Sequence, residues 1–111
     1  MNNLRAGFIG CGGIAESKYF TTFKALGGVD MLAFCDVMPA KADIACAQYG
    51  AKGAKAFTDY RALLEMDLDF VVVSTPNRSH GFITVDALHS GKHVMCEKPM
   101  AINAQEAEKM L

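Results

Sequence analysis

A lysine flanked by glutamate and proline, Glu97-Lys98-Pro99, stands at the end of the strand-like run Lys92-His93-Val94-Met95-Cys96. An ammonium at the carboxyl end of a parallel strand lies where open α/β sheets place their ligands, within reach of a substrate hydroxyl. The proline fixes the turn that aims it. Near the other end of the chain, Gly10-Cys11-Gly12-Gly13-Ile14-Ala15 reads G-x-G-x-x-A. In that pattern Gly10 makes a tight turn, Gly12 lets the backbone approach a pyrophosphate, and Ala15 lets a helix pack close to a sheet. The helix start then offers unpaired N–H groups and a partial positive charge to an anion. Asp36 follows Ala15 by twenty-one residues, where a carboxylate can accept hydrogen bonds from adenosine ribose hydroxyls. The same carboxylate repels a 2′-phosphate. Val37-Met38-Pro39 brings no arginine to compensate, and Lys41 is the one cation that weakens the argument. The set points to NAD in preference to NADP.

These residues need elements to hold them, and the hydrophobic pattern supplies an alternation of strands and helices. Residues 4–10 read as a strand, followed by the glycine turn and a helix with Ala15, Tyr19, Phe23 and Leu26 at helical spacing, ended by Gly27-Gly28. Residues 31–36 form a second strand. Pro39 suits the first turn of the next helix, whose apolar stripe is Ala42, Ala45, Cys46 and Tyr49, with Gly50 closing it. A short strand at 55–57 leads to Thr58 as N-cap of a helix burying Tyr60, Leu63 and Leu64. The run 68–75 is β-branched without alternation, as in a central strand covered on both faces. A helix over 79–90 ends at Gly91, and residues 92–96 make the fifth strand. Asn103 with Glu106 resembles a capping box, which starts a last helix over 104–111. Right-handed crossovers then give a doubly wound parallel sheet ordered 3-2-1-4-5, without the sixth strand usual in dinucleotide folds.

Bulk properties exclude several classes. At 111 residues, 51% hydrophobic and 21% charged, the chain is one globular domain able to bury a core without metal or disulfides. A formal net charge of -1 supplies no basic field for nucleic acid and no cationic face for a membrane. Apolar runs are strand-sized, and the first residues carry no signal-peptide stretch, so cytoplasm is the default location. Cys11, Cys35, Cys46 and Cys96 form no CxxC pair and read as reduced, mostly buried thiols. His89 and His93 lack neighbours at ligand spacing, so no metal site is expected. Cys11 sits where a helix start can lower a thiol pKa, yet no base or resolving cysteine lies nearby in sequence, and a small packing residue is the better reading.

With Gly10-x-Gly12-x-x-Ala15, Ser74-Thr75-Pro76-Asn77-Arg78-Ser79-His80 and Glu97-Lys98-Pro99 in order, the chain resembles the glucose-fructose oxidoreductase and inositol dehydrogenase family (Gfo/Idh/MocA) over essentially its whole length. The resemblance implies a nicotinamide-dependent oxidoreductase acting on sugars, cyclitols and related polyols, with an amino-terminal Rossmann domain and a carboxyl-terminal, mostly antiparallel domain that holds substrate. It implies that Gly10, Cys11, Gly12, Gly13, Ile14, Ala15 and Asp36 bind the cofactor. Thr75, Pro76 and Asn77 would line it, His80 would lie beside the site, and Glu97 would lie near the nicotinamide ribose. Lys98 would face both nicotinamide and substrate as the catalytic residue. To act as a base, it must titrate far below the ordinary lysine value, and burial and a cationic neighbour both push that way.

Residues 1–111 thus read as the dinucleotide-binding part of a two-domain oxidoreductase. The aspartate and histidine that share proton transfer in the family have no counterpart here, so these residues alone are expected to turn over no polyol. A free-standing, non-catalytic nucleotide-binding module is the alternative. An uncovered fifth strand and sheet end would favour a homodimer.

Overall fold

The computed structural model describes residues 3–74 and 77–96, and the side chains of all of these except residues 14, 77–81 and 96. The elements follow as β1 (Leu4–Ile9), α1 (Gly13–Ala15), a π-turn (Glu16–Phe20), α2 (Thr21–Leu26), β2 (Val29–Cys35), α3 (Pro39–Tyr49), β3 (Lys55–Phe57), α4 (Tyr60–Leu64), β4 (Phe70–Val73), α5 (Asn77–His89) and β5 (His93–Cys96). The strands form one parallel sheet of order β3-β2-β1-β4-β5. This is the expected doubly wound architecture. Among the described residues the sheet has five strands. The capping box at Asn103 and the helix expected over 104–111 lie outside the described residues.

The core divides between the two faces of the sheet, as a central β-branched strand requires. Val72 packs on the side of Phe8, Phe20 and Phe34, whereas Val71 and Val73 pack with Ile9, Leu63 and Ile83. On the first face three rings interlock, Phe8 edge-on to Phe20 at 4.8 Å and stacked with Phe34 at 5.6 Å between centroids. Such pairs add to simple area burial because each ring's edge complements its neighbour's face. Gly7 permits a close approach on the second face: a Cβ there would stand 2.6 Å from Leu68 Cδ1.

Two local expectations are corrected. The helix after the glycine loop buries Ala15, Tyr19 and Phe20, whereas Leu26 is 78% exposed. The π-turn Glu16–Phe20 takes up an extra residue and brings Phe20 into the core beside Tyr19; Phe23 still packs against that cluster as expected, and Leu26 does not. The N-cap of α4 is Asp59, not Thr58, and its carboxylate accepts from the Arg61 N–H at 2.9 Å. As expected, Gly50 closes α3, in an extended conformation, and it is glycine because a Cβ would stand 2.4 Å from the Cys46 carbonyl oxygen.

At the edge of the sheet opposite the strands' carboxyl ends, Arg5 holds the start of β1 against the segment entering β4. Its backbone N–H donates to Asp69 Oδ2 at 2.8 Å, its Nη2 to Asp69 Oδ1 at 3.0 Å, and its Nη1 to Asp67. The Arg5 hydrogen bonds hold the Asp69 carboxyl below its ordinary range. A depressed carboxylate stabilises the fold above the unfolded value of ~3.9 and loses that contribution as pH falls through the folded value. Asp69→Asn should therefore melt below the unsubstituted chain at pH 7, and the gap should close below pH ~4. Thermal melts across that range provide the check; a gap that persists at pH 2 would contradict it.

Candidate functional site

The five strands end at one level. Pairing joins Ile9 to Cys35 and Val73, Cys35 to Phe57, and Val73 to Cys96, so the loops leaving every strand start from the same edge. In the order 3-2-1-4-5 the succession of strands across the sheet reverses between β1 and β4, the place where such sheets open a crevice. Gly10 leaves β1 with φ 103°, a conformation that side chains resist, and its N–H donates to the Cys35 carbonyl at 2.7 Å. Gly12 is the N-cap of α1 in extended conformation, with no side-chain cap. A Cβ added at Gly12 or Gly13 would meet nothing within 4 Å. The glycines thus leave open space over a helix start whose first N–H groups have no intrahelical acceptor. That is the cradle an anionic pyrophosphate needs. Ala15 is buried against the sheet, as a close helix contact demands. Ile14 is placed on α1 by its backbone.

Asp36 follows β2 directly and is tied to the loop. Its Oδ2 accepts from the Cys11 N–H at 3.0 Å, and its Oδ1 from the Met38 N–H at 2.9 Å. A carboxylate offers about four acceptor positions, so two remain for ribose hydroxyls. The larger cleft, about 420 Å³, is lined by Gly10, Gly12, Asp36, Tyr60, Ser74 and Lys41, among others. A smaller cleft of about 190 Å³ lies between the glycine loop and α3, with Lys41 and Glu16 at its rim. Lys41 therefore borders both, and shares the larger with Asp36.

Cys11 is the loop residue whose side chain points inward. It is buried, and its thiol lies 3.4 Å from the Cys35 carbonyl oxygen it donates to. Burial, reinforced by Asp36, pushes its pKa up to about 12, and burial pushes Cys35 to about 11. Both are packing thiols, as expected, and the backbone of Cys11 rather than its sulfur serves the site. Cys35 is buried and Cys46 half-buried, both as free thiols.

Three cleft residues were missed as contacts or undervalued in sequence. Tyr60 reads as core from its helical spacing, but it is half-buried, lines the cleft, and donates to Asp86. Ser74 was legible only as the first letter of Ser74-Thr75-Pro76-Asn77. Lys41 was visible as a nearby cation, but its position on two clefts depends on how α3 packs. Asn77 and His80 fall on the first turn of α5 by backbone. Thr75, Pro76, Glu97 and Lys98 lie outside the described residues. Among the described residues no cluster suits a metal ion, and no helix is long and apolar enough to cross a membrane.

A doubly wound sheet with a glycine cradle at its switch point and a carboxylate directly after the neighbouring strand defines a dinucleotide-binding domain. The model of the Gfo/Idh/MocA oxidoreductases, described as an oxidoreductase family with an NAD-binding Rossmann fold, matches residues 4–111, and the chain belongs to this family. It is 31% identical over 109 residues to inositol 2-dehydrogenase of Salmonella typhimurium, covering 97% of this chain and 32% of that protein. To D-glucoside 3-dehydrogenase of Escherichia coli it is 35% identical over 108 residues, 96% of this chain and 30% of that one. A 3-ketoreductase from Actinomadura kijaniata, solved with NADP, superposes with TM-score 0.87 at 31% identity, over 98% of this chain and 34% of its own. The WlbA dehydrogenase from Bordetella pertussis, solved with NADH and UDP-GlcNAcA, gives 0.85 at 27%, over 98% and 33%. The chain spans about a third of the length of the curated relatives it matches.

Proposed function

We propose that residues 1–111 form the dinucleotide-binding domain of an oxidoreductase that exchanges hydride between NAD and a secondary hydroxyl of a sugar, cyclitol or related polyol. The observation that carries this reading is the Asp36 carboxylate, bonded to the glycine-loop N–H of Cys11 with acceptor positions to spare on the cleft. The names of the inositol and glucoside dehydrogenases support the substrate class. When bound, the nicotinamide supplies the two-electron acceptor. Gly10, Cys11, Gly12, Gly13, Ile14 and Ala15 present backbone to the pyrophosphate, and Asp36 holds the adenosine ribose and disfavours a 2′-phosphate.

Thr75, Pro76, Asn77 and His80 follow β4, and Glu97 and Lys98 follow β5, two strands that end opposite each other at Val73 and Cys96. Both segments therefore start at the edge where the glycine loop begins. In this reading Thr75, Pro76, Asn77, His80 and Glu97 complete the cofactor contacts. Lys98 takes or stabilises the proton leaving the substrate hydroxyl. Titration of the chain with NADH, followed by calorimetry and nucleotide fluorescence, tests the reading. Saturable one-to-one binding, displaced by ADP-ribose, is the expected outcome; heat no greater than dilution at millimolar nucleotide would sink it.

A further inference from the structure

We propose that the Ser74 hydroxyl is a ligand of the cofactor, pairing with its phosphate–ribose stretch over the glycine loop. This rests on the cleft being the dinucleotide site proposed above. Ser74 follows β4 directly, and its backbone N–H donates to the Ile9 carbonyl at 2.8 Å, which locks the residue beside Gly10 at the crevice between β1 and β4. The residue lines the larger cleft, together with Gly10, Gly12 and Asp36. Yet its Oγ is buried and has no hydrogen-bond partner.

A buried hydroxyl without a partner is rare, because water bonds are given up for nothing in return. Asp36 on the same cleft already bonds two backbone N–H groups and Tyr60 donates to Asp86, and among the described residues none of the cleft's polar side chains pairs with the Ser74 hydroxyl in the ligand-free fold. A serine side chain turns about a single bond between three staggered positions. Because Ser74 lines the cleft, the hydroxyl needs only such a turn to meet a bound ligand while the backbone stays bonded to Ile9. The hydroxyl then donates to an anionic or ribose oxygen above Gly10 and Gly12, and the unmet bond of the ligand-free protein is made on binding. Alanine at this position would lose nothing in the ligand-free fold and would lose one bond in the complex. That opposition separates a ligand from a structural residue.

The test uses the 111-residue chain and four side chains at one position. Ser74→Ala should bind NADH about tenfold more weakly, the value of one hydrogen bond to a charged acceptor. Its ligand-free melting temperature should equal or exceed that of the unsubstituted chain. Ser74→Thr and Ser74→Val share a shape and differ in the hydroxyl; the threonine form should bind NADH more tightly than the valine form by a similar factor. Equal NADH affinity within both pairs overturns the assignment while leaving the cofactor site standing. A lowered ligand-free melting temperature for Ser74→Ala also overturns it, since the hydroxyl would then have an internal partner. An unsubstituted chain that binds no NADH overturns both readings.

Discussion

Replacing Gly12 by valine is expected to abolish NADH binding, a loss of about a hundredfold or more, while the ligand-free chain keeps its stability to within about 1 kcal/mol. The two effects separate because Gly12 is not glycine for backbone reasons. Its φ of -80° and ψ of -172° suit any residue, and a Cβ would meet nothing within 4 Å. A branched side chain is therefore tolerated by the fold. It fills the space that a pyrophosphate must enter to reach the helix start, and close backbone approach is the purpose of that glycine. Valine caps a helix less well than glycine but stiffens the unfolded chain, so the stability terms largely offset. Gly10 offers the contrast. At φ 103° a side chain strains the turn itself, so Gly10→Val should cost about 1–3 kcal/mol of stability as well as binding. Chemical denaturation beside NADH titration reads both quantities. A Gly12→Val chain that binds NADH normally would mean that the cofactor does not cross this loop.

NADH should bind about 10–100-fold more tightly than NADPH at one ionic strength, because a 2′-phosphate would face the Asp36 carboxylate across a half-exposed cleft. Asp36→Ala should narrow the ratio to about threefold or less, mostly through weaker NADH binding, since the ribose loses its acceptor. It should also cost about 1–2 kcal/mol of stability, because the Cys11 and Met38 N–H groups lose theirs. Lys41 sets the counter-effect. It borders both clefts, the larger of which Asp36 also lines, so the residual NADPH affinity of Asp36→Ala should fall when Lys41→Ala is added and should weaken with salt. Known structures in the family's likeness hold either cofactor, the Actinomadura kijaniata 3-ketoreductase with NADP and the Bordetella pertussis dehydrogenase with NADH. The measurement is thus a property of this chain. Tighter NADPH binding would show that Lys41 outweighs Asp36.

Much of this was written in the order of residues. Strand count, strand order, the glycine cradle and the acid after β2 follow from local rules that need no partner in space: apolar runs of strand length, glycine where a turn or close approach requires it, Pro39 at a helix start. Those rules act over a few residues, so sequence carries them. The π-turn was invisible because it goes with Phe20 reaching the Phe8 and Phe34 rings while Tyr19 is buried in the same cluster, a matter of packing between distant segments. Packing also sent Leu26 outward against its spacing. The N-cap moved from Thr58 to Asp59 because either side chain can cap and only the entry path of the chain chooses between them. At the site, sequence named Asp36 as an acid for ribose, but only the fold showed its carboxylate bridging the Cys11 and Met38 N–H groups. The unmet Ser74 hydroxyl is likewise a statement about what surrounds an atom. Which residues can do chemistry is set by their types and spacing; what each has left to offer a ligand is set by the partners that tertiary structure has already assigned to them.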